Sequence, residues 1–153
     1  MAFSKHLDDV GVSEWAFKAL VALSLLDDNK QSVHRHRFYV VECFDCCSRS
    51  LKENAADEKV AEWGLRALIT LTPINAAGRA NAVKLGATAC ASIAAALVPH
   101  INDVTIVTLA CEAISNIAVN SSNKSSFGSN GCIEACTQVC LCVYLHMKFY
   151  VFF

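Results

Sequence analysis

The residues of this chain whose types suit chemistry are its cysteines and histidines. His34-x-His36 is followed by Cys43-x-x-Cys46, and neutral imidazoles with thiolates form a donor set that zinc accepts. The spacing matches no common zinc finger, and the intervening Phe38, Tyr39, Val40 and Val41 have core character. Cys132, Cys136 and Cys140 recur at every fourth position, which puts three thiols on one helical face, the pattern of a buried stripe of small residues. Cys142 and His146 form a Cys-His pair without a recognisable orienting partner, so nucleophilic catalysis lacks a complete constellation. No glycine-rich phosphate loop, GxSxG elbow or HExxH helix occurs in the chain. The expectation is a protein that is not an enzyme and uses neither cofactor nor metal.

Composition narrows the classes further. There are nine cysteines, an odd number in no regular framework, and the start MAFSKHLDDV carries Asp8 and Asp9 where an export signal needs an apolar run. Reduced thiols and a cytoplasmic or nuclear location are therefore expected. The net charge of -1 argues against nucleic acid as a partner, because phosphate binding needs an excess of Lys and Arg. Residues 139–153, VCLCVYLHMKFYVFF, are strongly apolar, but they fall short of the roughly 20 residues that span a bilayer. His146 and Lys148 would also lie inside it, so stable membrane insertion is not expected.

The elements that position these residues are repeated. VSEWAFKAL at 12–20 returns as VAEWGLRAL at 60–68, 48 residues later, as the pair Glu14 and Glu62 shows. Val12, Ala16, Ala19, Leu20 and Leu23 are expected on one core-facing side of a helix, matched by Val60, Gly64, Ala67, Leu68 and Leu71. A third copy, IVTLACEAISNIA, is in register a further 46 residues on, with Ile106, Ala110, Ala113, Ile114 and Ile117. Asp57, Glu58 and Asp103 stand near helix starts, where the macrodipole favours acids. A polar pair follows each copy: Asn29-Lys30, Gly78-Arg79 and Asn123-Lys124. Gly86 and Gly131 come seven residues after Arg79 and Lys124. That spacing predicts a short helix, a turn at positive φ on the glycine, and further helices over 87–98 and 132–145.

The stretch ACEAISNIAVNSSNKSSFGSNGCIEA, with Leu85-Gly86-Ala87 and Asn130-Gly131-Cys132-Ile133, resembles the armadillo repeat family. The resemblance covers most of residues 10–143 and implies an all-α fold, an armadillo-like α-solenoid in which three-helix repeats form a right-handed superhelix. Its units would be 10–56, 57–103 and 104–147, followed by an irregular tail over 148–153. The first unit departs from the pattern, with Arg37 where the turn glycine belongs, inside VHRHRFYVVECFDCCSRS. The chain also starts on what the family counts as a third helix and stops after a second, which reads as a fragment whose uncovered ends favour self-association.

The polar side of the repeated helices supplies the candidate site. Glu14, Lys18 and Ala22 line up with Glu62, Arg66 and Thr70, and with Thr108, Glu112 and Asn116. On an isolated helix such a stripe is a solvated surface with i to i+4 ion pairs; stacked helices turn it into an extended concave face. The resemblance implies a scaffold that binds an extended peptide or partner protein there through Glu14, Lys18, Glu62, Arg66, Glu112 and Asn116. Asn116 stands where the family uses asparagine to hold a peptide backbone. Two basic positions followed by Glu112 suggest a ligand with acidic residues near one end. The family's ladder tryptophan falls at Lys18, Arg66 and Glu112, so recognition of nuclear-localisation signals does not carry over. Trp15 and Trp63 read chiefly as packing residues. The alternative is a zinc-binding or membrane-anchored regulatory fragment.

Overall fold

Three aspartates begin three helices at the spacing of the sequence repeat. A computed structural model describes residues 6–24 and 37–140, which are helical with short turns and contain no strand. The helices are α1 (Val10–Leu23), α2 (Arg37–Glu53), α3 (Glu58–Leu71), α4 (Ala76–Leu97), α5 (Val104–Ile117), α6 (Ser121–Ser129) and α7 (132–140). Asp9, Asp57 and Asp103 are the N-caps of α1, α3 and α5. Their carboxylates accept from the amides of Val12, Val60 and Ile106 at 2.8, 2.9 and 3.0 Å, and each such cap stabilises its helix by about 1 kcal/mol.

The turns ahead of those caps repeat as well. The amides of Asp9, Asp57 and Asp103 donate to the carbonyls of His6, Asn54 and His100. Successive turns are tied to one another. Asn54 Nδ2 donates to Leu7 O at 2.6 Å, and His100 Nε2 meets Ala55 O at 2.9 Å. Because a carbonyl only accepts, Nε2 carries the proton in this contact. Leu7 and Ala55 occupy equivalent places in their turns, as do Asn54 and His100, so one bond is made twice with different side chains. Asn54 also donates to Ser50 O at 3.0 Å, and Ser50 Oγ to Ser13 Oγ at 2.6 Å, which satisfies a buried polar cluster between α1 and α2.

Glycine breaks the chain where the spacing expects it. Gly86 has φ 48 and ψ -143 inside α4, and Gly131, between α6 and α7, has φ 78. That region is costly for side chains with a Cβ. The helical segment after Gly86 runs to Leu97 with Val98 as its C-cap, close to the expected 87–98. Asn75 and Asn120 cap α4 and α6. Gly78–Leu97 is long and apolar enough by composition to cross a membrane. It is broken at Gly86, and α4 packs against α2, α5 and α6.

Burial corrects the expected core face of the first copy. α3 packs against both α1 and α5, and it buries Val60, Ala61, Gly64, Leu65, Ala67, Leu68 and Leu71. α1 packs chiefly on α3 and buries Ser13 and Phe17, with Leu20 and Val21 partly covered. Val12, Ala19 and Leu23 are exposed, Leu23 by 62%. Their counterparts Val60, Ala67 and Leu71 are buried because a helix lies on that side of α3. α5 uses the opposite half, burying Ile106, Ala110, Ala113 and Ile117 and leaving Cys111 exposed. The segment 25–36, including Asn29, Lys30, His34 and His36, lies outside the described residues, as do the side chain of Arg37 and everything from 141 onward.

Removing a turn-to-turn bond leaves a carbonyl unpaired in a partly buried setting. Asn54→Ala is expected to lower stability by about 2 kcal/mol and His100→Ala by about 1 kcal/mol. Urea denaturation followed by far-ultraviolet circular dichroism measures both, and the folded spectra should remain helical. An Asn54→Ala variant as stable as the parent would show that these bonds do not hold the turns together.

Candidate functional site

α1 and α3 lie side by side in register, and this brings one cation between two indole rings. Lys18 follows Trp15 by three residues, so the two side chains are neighbours on the surface of α1. Lys18 Nζ sits 4.5 Å from the Trp15 ring centre and 5.3 Å from that of Trp63 on α3. Arg66, one turn further on, places its guanidinium carbon 5.7 Å from the Trp63 ring. Each such contact is favourable by about 0.5–1 kcal/mol at an exposed site. Trp63 packs partly against the core, whereas Trp15 is 69% exposed. The packing role read for Trp15 from sequence is therefore corrected: its ring is surface, held by a cation.

The glutamates of the stripe pair with these cations. Lys18 Nζ bonds Glu14 Oε1 at 2.5 Å, and Arg66 reaches Glu62 Oε1 through Nε at 3.0 Å and a terminal nitrogen at 2.8 Å. Both pairs remain partly open to water, so each contributes 1 kcal/mol or less, at roughly the level of exposed i to i+4 pairs. Their main effect is to hold Lys18 and Arg66 against the rings and to leave this half of the stripe without net charge.

The third copy differs. Glu112 is exposed, and Asn116, expected on an open groove, is only 8% exposed. Among the described residues its amide has no hydrogen-bond partner, while the fully enclosed unpartnered side-chain atoms are those of Ser48 and Asn81. The Asn116 amide thus keeps contact with solvent. Asn123 contrasts with it, donating to Ala82 O at 2.8 Å and Ile117 O at 3.1 Å as a clamp between elements. Thr70 and Thr108 turn their hydroxyls onto their own helices, toward Arg66 O and Val104 O, and Ala22 is exposed. Of the three equivalent positions, Asn116 alone offers a free amide.

The cysteines divide by environment. Among the described residues no group of three or more His, Cys, Asp or Glu could hold a metal ion. Cys43 accepts a hydrogen bond from Cys47, which lowers its pKa from 9.0 to about 7 against the opposing effect of burial. Cys47, the donor in that contact and fully buried, is raised well above 9.0. Burial pushes Cys90 up to about 11 and, with nearby Cys90, Cys136 and Glu134, pushes Cys132 up to about 12. An apolar cavity of about 330 Å³ lies beside them, lined by Ile114 on α5, Phe127 on α6, and Cys132, Ile133, Cys136 and Cys140 on α7. The cysteine stripe read as buried is thus buried at Cys132, half-buried at Cys136 and exposed at Cys140.

Sequence reasoning missed the cradle around Lys18, although its signal was present: Trp15 and Trp63 share the 48-residue offset of Glu14 and Glu62. The cavity had no such signal, because its walls come from three helices. No protein-family model, curated protein or solved structure matches this chain.

A thiol alkylates as its thiolate, so Cys43 should react with iodoacetamide with a midpoint near pH 7, below the ordinary 9.0. Cys47→Ala removes the donor and should move that midpoint upward. Peptide mass spectrometry across a pH series reads it residue by residue. An unchanged midpoint in the variant would exclude Cys47 as the cause.

Proposed function

We propose that this chain is an armadillo-like interaction module that holds an extended peptide, or an extended segment of a partner protein, along the face shared by α1, α3 and α5. The observation that carries the reading is the row Trp15, Lys18, Trp63 and Arg66, an aromatic surface left open on two helices that repeat the same phrase. Tryptophan and arginine are enriched among residues that dominate binding energy at interfaces. Here the rings are already fixed by cations, so little side-chain entropy remains to be lost when a ligand docks.

The solenoid reading draws support from three features. The Asp N-caps fall at the repeat spacing, the positive-φ glycines stand at equivalent places, and α3 packs against both its counterparts. Such stacking aligns the outward side of each repeated helix into one surface. Asn116, with an unpartnered amide that can both donate and accept, suits a peptide backbone. Lys18 and Arg66 suit acidic residues toward one end of the ligand, which would replace Glu14 and Glu62 as their partners. Glu112 disfavours an acid at the other end and so sets direction. The eight described cysteines are all free, in keeping with a reducing cytoplasmic or nuclear setting. Catalysis, a cofactor and nucleic-acid binding form no part of this proposal.

Both tryptophans of the chain lie in this row, so intrinsic fluorescence reports on it directly. Peptides selected from a displayed random library against the full chain should change that fluorescence on binding and should bind more weakly as salt rises. Lys18→Glu with Arg66→Glu should weaken them at least tenfold, and Trp15→Ala by a similar factor. Asn116→Ala should weaken them roughly fivefold, which corresponds to about 1 kcal/mol. All variants should retain their helicity. Selected peptides that bind every variant as well as the parent would place the binding surface elsewhere.

A further inference from the structure

α3 and α5 occupy the same kind of seat. α3 packs against α1 and α2, and α5 packs against α3 and α4, so each rests on its predecessor in the repeat and on the helix before it in the chain. The first seat is close-fitting. A Cβ at Gly64 would stand 2.8 Å from Leu51 on α2 and 3.2 Å from Phe17 on α1. The second seat has the same residue types: Ala110 on α5 is the counterpart of Gly64, Leu65 on α3 is the counterpart of Phe17, and both are fully buried. Each seated helix thus brings a small residue to a seat built from large ones.

The described residues leave one seated face and one seat open. α3 enters its seat with Val60, Ala67 and Leu71, and α5 with Ile106, Ala113 and Ile117, all buried. On α1 the same places hold Val12, Ala19 and Leu23, all exposed. At the other end, α7 follows the positive-φ Gly131 as the second half of α4 follows Gly86, and no described helix comes after it to lie on α5 and α7. The apolar cavity stands there, with Ile114 of α5 and Cys132, Cys136 and Cys140 of α7 along its walls. Cys111, three residues before Ile114 and so its neighbour on the surface of α5, is the counterpart of Phe17 and Leu65, and it is exposed.

We infer that a second copy of this chain seats its α1 in this groove, so that copies stack head to tail. The occupant is set by continuity with the two interior junctions: the open stripe of α1 repeats the stripes that α3 and α5 bury, and the open groove repeats the seats that receive them. Val12, Ala19 and Leu23 of the incoming copy lie along α5 and α7 as Val60, Ala67 and Leu71 lie along α1 and α2, and Ala16 faces Cys111 as Gly64 faces Phe17. Both surfaces are apolar, and their removal from water is the driving force. The contact is heterologous, because stripe and groove are different surfaces. Each added copy leaves one of each unfilled, so assembly continues with concentration and does not close at a dimer. Such stacking rests on the repeat architecture of the functional proposal and not on peptide binding, and its test contains no peptide.

Sedimentation velocity of the full reduced chain across a wide concentration range should show a weight-average mass that rises from the 16.5 kDa of one chain to beyond twice that value. Ala19→Glu with Leu23→Glu puts charge on the stripe, and Cys111→Glu with Ile114→Glu puts it in the groove. Burying unpaired charge is costly, so each variant alone should need roughly tenfold more protein to associate. Mixed together, the two variants should form a one-to-one pair and stop, since one intact groove and one intact stripe remain between them. In the parent, N-ethylmaleimide should label Cys111 several-fold more slowly at high protein concentration than at low, a reading that needs no variant to fold. A full chain that is monomeric throughout, a variant that assembles as readily as the parent, or either variant forming a stable dimer by itself would overturn the proposal. So would a monomeric chain that assembles only once residues 141–153 are removed, which would assign the groove to the chain's own tail.

Discussion

The described fold depends on how closely other elements approach α3 at Gly64. A Cβ at that position would lie 2.8 Å from Leu51 Cδ1 and 3.2 Å from the Phe17 ring, too near for either to stay in place. Without one, α2 and α1 deliver Leu51 and Phe17, both fully buried, onto the same backbone. Packing on that patch sets the distance between α1 and α3. Lys18 reaches the face of Trp63 only because that distance is short. The surface row is thus a consequence of a core contact made by Gly64 and Phe17, the residues next to Trp63 and Lys18 in the chain.

Polar contacts specify register where apolar packing leaves it free. An apolar face tolerates sliding because dispersion and burial are non-directional, but a hydrogen bond does not. The bonds from Asn54 to Leu7 O and from His100 to Ala55 O pin each turn to the one before it. The N-cap aspartates then start each helix at a fixed phase. Together they ensure that equivalent residues of α1, α3 and α5 fall at equivalent heights, which a shared surface requires.

Identical side chains take different roles from their surroundings. Cys43 has its pKa lowered by a neighbouring thiol, Cys132 has its pKa raised by burial, and Cys111 is exposed where its counterparts are core. Asparagine divides in the same way. Asn54 and Asn123 spend their amides on backbone carbonyls inside the protein, and Asn116 leaves its amide free. Residue type alone would rank these positions together; partners separate them.

Local signals were legible in the sequence by itself. Helical periodicity gave the all-α class, acids near the starts of two copies foretold the caps at Asp57 and Asp103, and the glycine spacing foretold positive φ at Gly86 and Gly131. Each of these rests on interactions within a few residues along the chain, which a linear pattern records. The tertiary structure alone decided which half of each repeated helix is buried. Val12 and Val60 occupy the same place in the same phrase, and one is exposed while the other is core, because burial depends on whether a helix lies alongside. It likewise decided that Trp15 is surface and that Lys18 lies between two rings. Those pairings join residues far apart in the chain, and their proximity comes from packing distances between helices, a quantity that periodicity within one helix does not contain.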